Sequence, residues 1–578
     1  MSNLVKTCII NTKRRLLDLK SMTKYIITAM IAFLLTFAMT LSTEAATWQD
    51  HSPDQNPDKP WTITFNKPVN INTVKENSVY IKDSKGVTQS NTITYSDSDK
   101  KVHIAPPAGN YRSGETYTLH ITQAVHNTDG KPLKAPVTKT FSIKAGITYD
   151  LANVQANGTT TIVERFPSFE LAASRMNSNQ VVLLQNKIIH MPKGLISTVA
   201  YDGSSLTILY ADKDLKRQET YVPADTELVY VDSTATSVKV ELAGRNFYIK
   251  PQNATMLPSQ TVSDRTHYKV IKDSLYHLIY SHRTKTFASY EMGAAPRFMQ
   301  EGVKYYSTDG SHFHNETGAL IGTAHQYFQY LPMRSMTRYT AEELDTYIMN
   351  QLSILETNNP NSSTYKDATT RSKLIGLGTE LKRIERESHV NAMHILALAQ
   401  HESQYGLSKR ALDNNNLFGL YVTDDNPSNQ KFDSVSKNIQ ELVDAFLNKN
   451  YLPPGAMYAN GTNFGNKAIG MNVKYASDPY WGSKIAGHLY RMDRLMGGKE
   501  LANQLKIGLT NPPSLNVRPT PSSAPGTPII YTYHKMGMPL IIQDDRLPEN
   551  PWIKIRSDKA PYGSLYVHGG YVDRLEWQ

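Results

Sequence analysis

Between Ala392 and Ala399 only His394 is polar. A helix that is apolar nearly all round is buried rather than laid on a surface, so this run has to sit inside a domain. It continues into Gln400-His-Glu-Ser-Gln404 and reaches Gly406, a helix C-cap signal. Glu402 stands four residues after Leu398 and three after Ala399, so it shares a face with the buried side chains. A carboxylate at the end of a buried helix is partly desolvated, which raises its pKa. A general acid needs that in order to hold its proton near neutral pH and deliver it to a leaving oxygen. The plainer alternative is a helix-end glutamate in solvent.

The surrounding sequence keeps the helical period. Thr340-Ala-Glu-Glu is a helix-start signal, and helices are expected at about 341–354, 371–386, 388–405, 436–449 and 479–496. On either side the period falls to two. Trp61-Thr-Ile-Thr-Phe65 and Tyr117-Thr-Leu-His-Ile121 alternate apolar and polar residues, and turn signals such as Ser84-Lys-Gly86 and Asp129-Gly130 separate such strands. Leu228–Val231, Val238–Leu242, Phe247–Lys250, Tyr268–Ile271 and Tyr276–Ile279 continue the pattern. It returns at Leu515–Arg518, Pro539–Ile542, Trp552–Ile555 and Gly570–Asp573, after the proline-rich stretch Pro512 to Pro528. The expected fold is therefore multidomain α+β. It comprises an N-terminal β-sandwich over 48–146, one or two small barrel-like β modules over 147–320, a mainly α domain over 321–505 and a C-terminal β-barrel over 512–578. At 578 residues the chain has room for this many domains.

The first 45 residues read as a signal peptide. Basic residues end at Lys24, an uncharged apolar run spans Tyr25 to Met39, and Thr43 and Ala45 are the small residues of a cleavage site. Met22 is an alternative start. The apolar run is shorter than the roughly 20 residues of a membrane span, so no stable span is expected after cleavage. The formal charge is +10. Lys6, Lys13, Arg14, Arg15, Lys20 and Lys24 against Asp18 and Glu44 place a net +4 of it in this segment. The rest is either ordinary solubility charge or an attraction to anionic polymers such as teichoic acids. The one cysteine, Cys8, lies in the same segment. The remaining chain then has no disulfide, cysteine nucleophile or thiolate metal site.

Three motifs carry a resemblance to a known family. They are Ala399-Gln-His-Glu402-Ser403-Gln-Tyr-Gly406-Leu-Ser408-Lys-Arg-Ala411, then Asn415-Asn416-Leu417-Phe418-Gly419-Leu420, then Asn472-Val-Lys-Tyr475-Ala-Ser-Asp478-Pro-Tyr-Trp481-Gly-Ser-Lys-Ile485. In this order and spacing they resemble the glucosaminidases of glycoside hydrolase family 73. The likeness covers about 320–505 strongly and 147–320 more loosely, and the chain is similar to the major glucosaminidase autolysins of Gram-positive bacteria. The 48–146 segment resembles bacterial Ig-like domains. The β modules at 147–320 and 512–578 resemble bacterial SH3 domains, and for the first of these a spacer and a wall-binding module are both open.

The resemblance implies a lysozyme-like α lobe that cuts the β-1,4 bond between N-acetylglucosamine and N-acetylmuramic acid. It makes Glu402 the proton donor and gives Tyr475 the role of orienting substrate or stabilising the charged sugar. Asn416 and Phe418 would shape the cleft floor, and Gln400 and Trp481 would contact substrate. Asp478 either supports Tyr475 or caps a helix before Pro479, the second being the simpler reading. The partner expected is the peptidoglycan glycan strand, with teichoic acids on the basic β modules, for a monomer secreted to the cell wall without a cofactor.

A second carboxylate is the open question, because glycosidases usually work with a pair. Asp433 in Lys431-Phe-Asp-Ser434 is the candidate base or an N-cap, and Asp424 and Asp425 are further candidates. Assistance by the substrate's own 2-acetamido group would need none of them. His312 and His314 are the closest histidine pair, with no third ligand evident nearby, so no metal is expected. No glycine-rich phosphate loop precedes a helix, and neither nucleotide nor nucleic-acid binding is expected. The competing readings are an inert wall-binding scaffold or adhesin, and a muramidase or lytic transglycosylase on the same lobe.

Overall fold

The computed structural model describes residues 51–96, 98–144, 148–422, 430–546 and 551–577. The expected leader 1–45, with Cys8 and Met22, and the candidates Asp424 and Asp425 lie outside the described residues. The chain divides into two compact units, Met1–Ile147 and Thr148–Gln578.

In the first unit, strands Val79–Asp83, Thr116–Ile121, Val137–Ile143 and His51–Gln55 form one sheet, and Trp61–Thr64, Lys101–Ile104 and Ile93–Ser96 form another. Alternation along Thr116–Ile121 turns Tyr117, Leu119 and Ile121 inward. They join Ile63, Val102, Tyr111 and Phe141 in a single core. Tyr111 packs on Tyr117 and on Phe141 at 4.8 and 5.1 Å, within the range where aromatic pairs attract. This is a sandwich of two facing sheets.

The second unit opens with β structure. A four-stranded sheet (order Lys187–His190, Gln180–Leu184, Tyr149–Val154, Thr160–Phe166) shares one core with a seven-stranded antiparallel sheet. The seven strands run in the order Gln218–Pro223, Leu206–Tyr210, Arg245–Ile249, Val238–Leu242, Glu227–Ser233, Gly194–Thr198, Ala254–Pro258. Gln218–Pro223 is thus an edge strand. A three-stranded meander follows, His267–Ile271, Ser274–Ser281 and Thr286–Ala294.

Helices take over at Thr340, whose side chain and that of Glu343 close a capping box on the helix Ala341–Asn358. Next come Gly378–Ser388, Ala392–Ser403 and Lys409–Asn414. Val435–Glu441 then continues as a π-wound stretch, Leu442–Tyr451. The last long helix is Trp481–Leu495. Ala392 to Gln400 are all buried. His394 fits among them because burial pulls its imidazole down to about 4 and its Nε2 lies 3.1 Å from the Leu331 carbonyl. The helix stops at Ser403, before the expected Gly406. Gln404 and Tyr405 already take left-handed φ values of 51° and 59°, and Ser403 Oγ accepts the Gly406 N–H at 2.7 Å. Gly406 still matters, since a Cβ there would lie 2.8 Å from Ser372 Oγ.

Trp481–Leu495 lies against the meander with no side chain between them at one point. A Cβ on Gly487 would sit 2.0 Å from the Glu291 carbonyl oxygen. Glu291, almost fully buried, also pairs with Arg491 and Arg494. The C-terminal sheet runs in the order Ser564–His568, Trp552–Arg556, Pro539–Asp544, Lys506–Thr510, Val572–Arg574. It begins at Lys506, ahead of the expected boundary at 512, because Lys506–Thr510 pairs on both sides. It is also fastened to the helices. Fully buried Arg334 donates from Nε to the Asp558 carbonyl at 3.2 Å and lies over Tyr562, and Trp577 Nε1 donates to the Leu505 carbonyl at 3.1 Å.

Glu385 fixes where the buried helix starts. With no exposed surface, it accepts the backbone N–H groups of Thr337 and Ala392 at 2.8 and 3.0 Å and pairs with Lys382. Removing one partner of a buried pair strands the other charge, at a cost of about 3–5 kcal/mol. Glu385→Ala should therefore lower the unfolding free energy by about that amount and move the urea midpoint of the helical signal down, measured by circular dichroism. An unchanged midpoint would show that the helix start is held elsewhere.

Candidate active site

Glu402 sits on the last turn of the buried helix, and its backbone position is set by neighbours facing the other way. Gln400 is buried and accepts a hydrogen bond from the Tyr347 hydroxyl at 3.3 Å. Ser403 is buried and donates to the Ala399 carbonyl. The Glu402 side chain turns toward Trp481, whose indole Nε1–H donates to Oε1 at 2.8 Å. Trp481 is the first residue of its helix and is 3% exposed. Its ring stacks on Tyr475 at 4.7 Å and 25° and meets Phe464 edge-on at 5.6 Å. Phe464 in turn stacks on His394 of the Glu402 helix at 5.3 Å. Tyr451, the end of the π-wound stretch, closes the group against Tyr475 at 5.5 Å.

These surroundings act on the ionisable groups. Burial pushes the Glu402 carboxyl above its ordinary value, while the Trp481 hydrogen bond and the Arg410 charge pull the other way. The Tyr475 phenol is pushed well up by burial, then by the nearby Glu402 and Tyr451. A protonated acid bordered by an indole donor and a neutral phenol can give a proton to a bound group and leave a carboxylate that already has one donor.

Of the residues expected at the site, Glu402, Tyr475 and Trp481 come together. Gln400, Asn416 and Phe418 lie in the interior, where the expected contact with substrate has no surface to use. Asn416 spans its own loop: Oδ1 accepts from Leu420 N at 3.0 Å and Asn438 Nδ2 at 3.2 Å, and Nδ2 donates to the Leu420 carbonyl at 3.0 Å. Phe418 is part of the helical core. Asp478 accepts the Tyr480 N–H at 2.9 Å and pairs with Lys484 at 2.6 Å. That is the local turn-and-cap role and holds the entry to the Trp481 helix. Asp433 is exposed, one residue before Ser434, whose hydroxyl accepts from Lys437 N and makes it the N-cap. His312 pairs with Asp309 at 2.6 Å, on the strand His312–His314.

Tyr451, Phe464 and Arg410 were not singled out in the sequence. Arg410 lies inside the first motif, but spacing does not say that its charge reaches Glu402. Phe464 and Tyr451 sit in stretches with no periodic signal, and only the fold brings them to the acid.

Residues 378–494 match the family model described as mannosyl-glycoprotein endo-β-N-acetylglucosaminidase, and residues 41–143 match that of the bacterial Ig-like domain. Two Streptococcus pneumoniae proteins named endo-β-N-acetylglucosaminidase, from strains TIGR4 and R6, are each 38% identical to this chain over 204 residues. That stretch is 35% of this chain and 27% and 25% of theirs, so the chain spans about a quarter of the length of the curated relatives it matches. A solved structure of a catalytic mutant of Staphylococcus aureus autolysin E, in complex with the disaccharide NAG-NAM, aligns over 30% of this chain and 76% of that one. Its identity is 13% and its TM-score 0.21. The chain thus carries a glucosaminidase domain and an Ig-like domain.

The raised pKa of Glu402 has a consequence for stability. A carboxyl that binds its proton more tightly when folded stabilises the fold below the ordinary value of 4.5, and that contribution is lost as pH rises through the folded value. Glu402→Gln keeps the acceptor for Trp481 and removes the charge. Its melting temperature should match wild type in acid and exceed it at neutral pH. A variant that melts lower at neutral pH would mean that the carboxylate is well solvated.

Proposed function

We propose that the glucosaminidase domain makes this chain a secreted cell-wall hydrolase that cuts peptidoglycan between N-acetylglucosamine and N-acetylmuramic acid. The observation that carries the reading is the half-buried, indole-capped Glu402 at the end of an apolar helix. In the proposed step, the bond from the N-acetylglucosamine C1 to the bridging oxygen breaks. Glu402 gives its proton to that oxygen, a water adds its hydroxyl to C1, and the water's other proton passes to a base or to solvent, from which Glu402 is reprotonated. Tyr475, packed on Trp481 beside Glu402, orients the sugar or bears on the charge that develops at C1. Trp481 holds Glu402 and supports Tyr475, while Gln400, Asn416 and Phe418 hold the frame from inside.

Asp433 is the carboxylate this reading nominates to activate the water, and the 2-acetamido group of the substrate is the route that needs no second carboxylate. Asp433→Asn separates the two by its effect on kcat. The wall setting follows from the leader expected at 1–45 and from the β-rich regions, read as SH3-like modules for glycan or teichoic acid. The C-terminal sheet is not a removable appendage in this reading, because Arg334 would lose its Asp558 carbonyl partner with it.

The test is a digest of purified peptidoglycan by the full chain, followed by borohydride reduction and mass spectrometry, with Glu402→Gln alongside. Wild type should yield reduced N-acetylglucosamine ends, and the variant should be slower by about 10²–10⁴-fold, the usual contribution of a general acid. Reduced muramic ends would identify a muramidase and anhydromuramic ends a lytic transglycosylase. Wall binding without cleavage would leave a scaffold.

A further inference from the structure

The segment that carries Tyr475 has little regular structure of its own. Met471–Val473 is a single 3-10 turn, and the helix resumes only at Trp481. Asn472 and Val473 are buried, and the backbone polar groups of such a stretch need partners. Four of the five carbonyls from 472 to 476 have side-chain donors. Thr220 Oγ1 donates to the Val473 carbonyl at 2.7 Å, and the Tyr221 hydroxyl donates to that of Lys474 at 3.0 Å. Lys467 Nζ donates to the Asn472 carbonyl at 3.0 Å and also to that of Ala476. Lys467 is fully buried, and its ammonium lies over the Tyr221 ring, 4.8 Å from the centroid.

Thr220 and Tyr221 do not belong to the helical region. They lie on Gln218–Pro223, the edge strand of the seven-stranded sheet, more than 250 residues earlier in the chain. An edge strand has unpaired positions along one side, and here its side chains are spent on the loop that bears Tyr475. Each hydroxyl meets a carbonyl next to Tyr475 or one residue further away, so the pair sets the height and direction of that residue.

We infer that Thr220 and Tyr221, together with Lys467, are positioning residues for Tyr475, so that the β-rich region before the helices completes the active site. The inference rests on the function proposed above for Tyr475. It makes the helical domain alone an incomplete catalyst, for a reason separate from substrate binding by the β modules. Cutting the chain before the helices removes two of the donors and the ring beneath Lys467.

The deciding variant is the double substitution Thr220→Val with Tyr221→Phe in the full chain. It removes both hydroxyls, keeps both shapes, leaves the ring under Lys467 and touches no buried charge. Two readouts are needed. The first is amide hydrogen exchange by mass spectrometry. Lys474 N–H and Tyr475 N–H, both bonded to the Met471 carbonyl, report on the loop. Exchange of peptides covering 471–476 should rise by about tenfold, while the 392–403 helix is unchanged. The second is steady-state cleavage of soluble glycan, where kcat should fall by about tenfold and by more than KM rises. Unchanged exchange, or faster exchange with unchanged kcat, would overturn the positioning role. If wild type cleaves nothing, the proposed function fails, and the exchange readout still decides whether these hydroxyls hold the loop.

Discussion

Burying the stretch from Ala392 to Gln400 of the helix Ala392–Ser403 on every side is the constraint that the rest of the second unit answers to. A helix with no solvent face has to have both ends satisfied by protein. The N-terminal end is met by the Asn391 side chain, which accepts from Met393 and His394, and by Glu385, which accepts from Ala392. At the other end the chain leaves through two left-handed residues, and Ser403 bonds back to Ala399. Of the two titratable side chains of the final turn, His401 and Glu402, it is Glu402 that receives the Trp481 indole N–H. Its acidity therefore follows from packing that extends far beyond its immediate contacts.

The same logic makes the second unit interdependent. The meander reaches the Trp481 helix through Gly487 and Glu291, the seven-stranded sheet reaches the Tyr475 loop through Thr220 and Tyr221, and the C-terminal sheet reaches Arg334 through Asp558. Each junction has a buried polar group at its centre, Glu291, Thr220 or Asp558, and leaving such a group unpaired is costly. Burial pushes Asp558 up to about 6 even though Arg334 and the Tyr533 hydroxyl draw it down, a measure of how dry that junction is. The β-rich regions flanking the helices are thus parts of the frame that holds the helical region.

Much of this was legible in the sequence where the signal is local. The capping box at Thr340 and Glu343, the buried run from Ala392 and the shared face of Glu402 all follow from spacings of three and four. Tyr475 and Trp481 came instead from the family resemblance of the motif that holds both. Spacing was less informative about which way a polar residue points. Gln400 and Asn416 stand beside motif residues and yet bond inward, because a buried turn has to satisfy its own amides before any ligand. The boundary at 512 was drawn at proline-rich sequence, whereas the sheet recruits Lys506–Thr510 by pairing that no local signal marks. The donors at 220 and 221 were invisible for the same reason. An alternating strand shows which residues alternate but not what lies across its edge.

Trp481 ties these levels together. Its indole N–H is aimed at Glu402 and its ring lies along Tyr475, so one side chain bears on both residues. A hydrogen bond to a carboxylate is stronger than one to the neutral acid, so the Trp481 bond strengthens as Glu402 gives up its proton. Burial favours the protonated form of Glu402, and the indole favours its carboxylate. The second effect requires Trp481 to stay where Tyr475, Phe464 and the start of its own helix hold it.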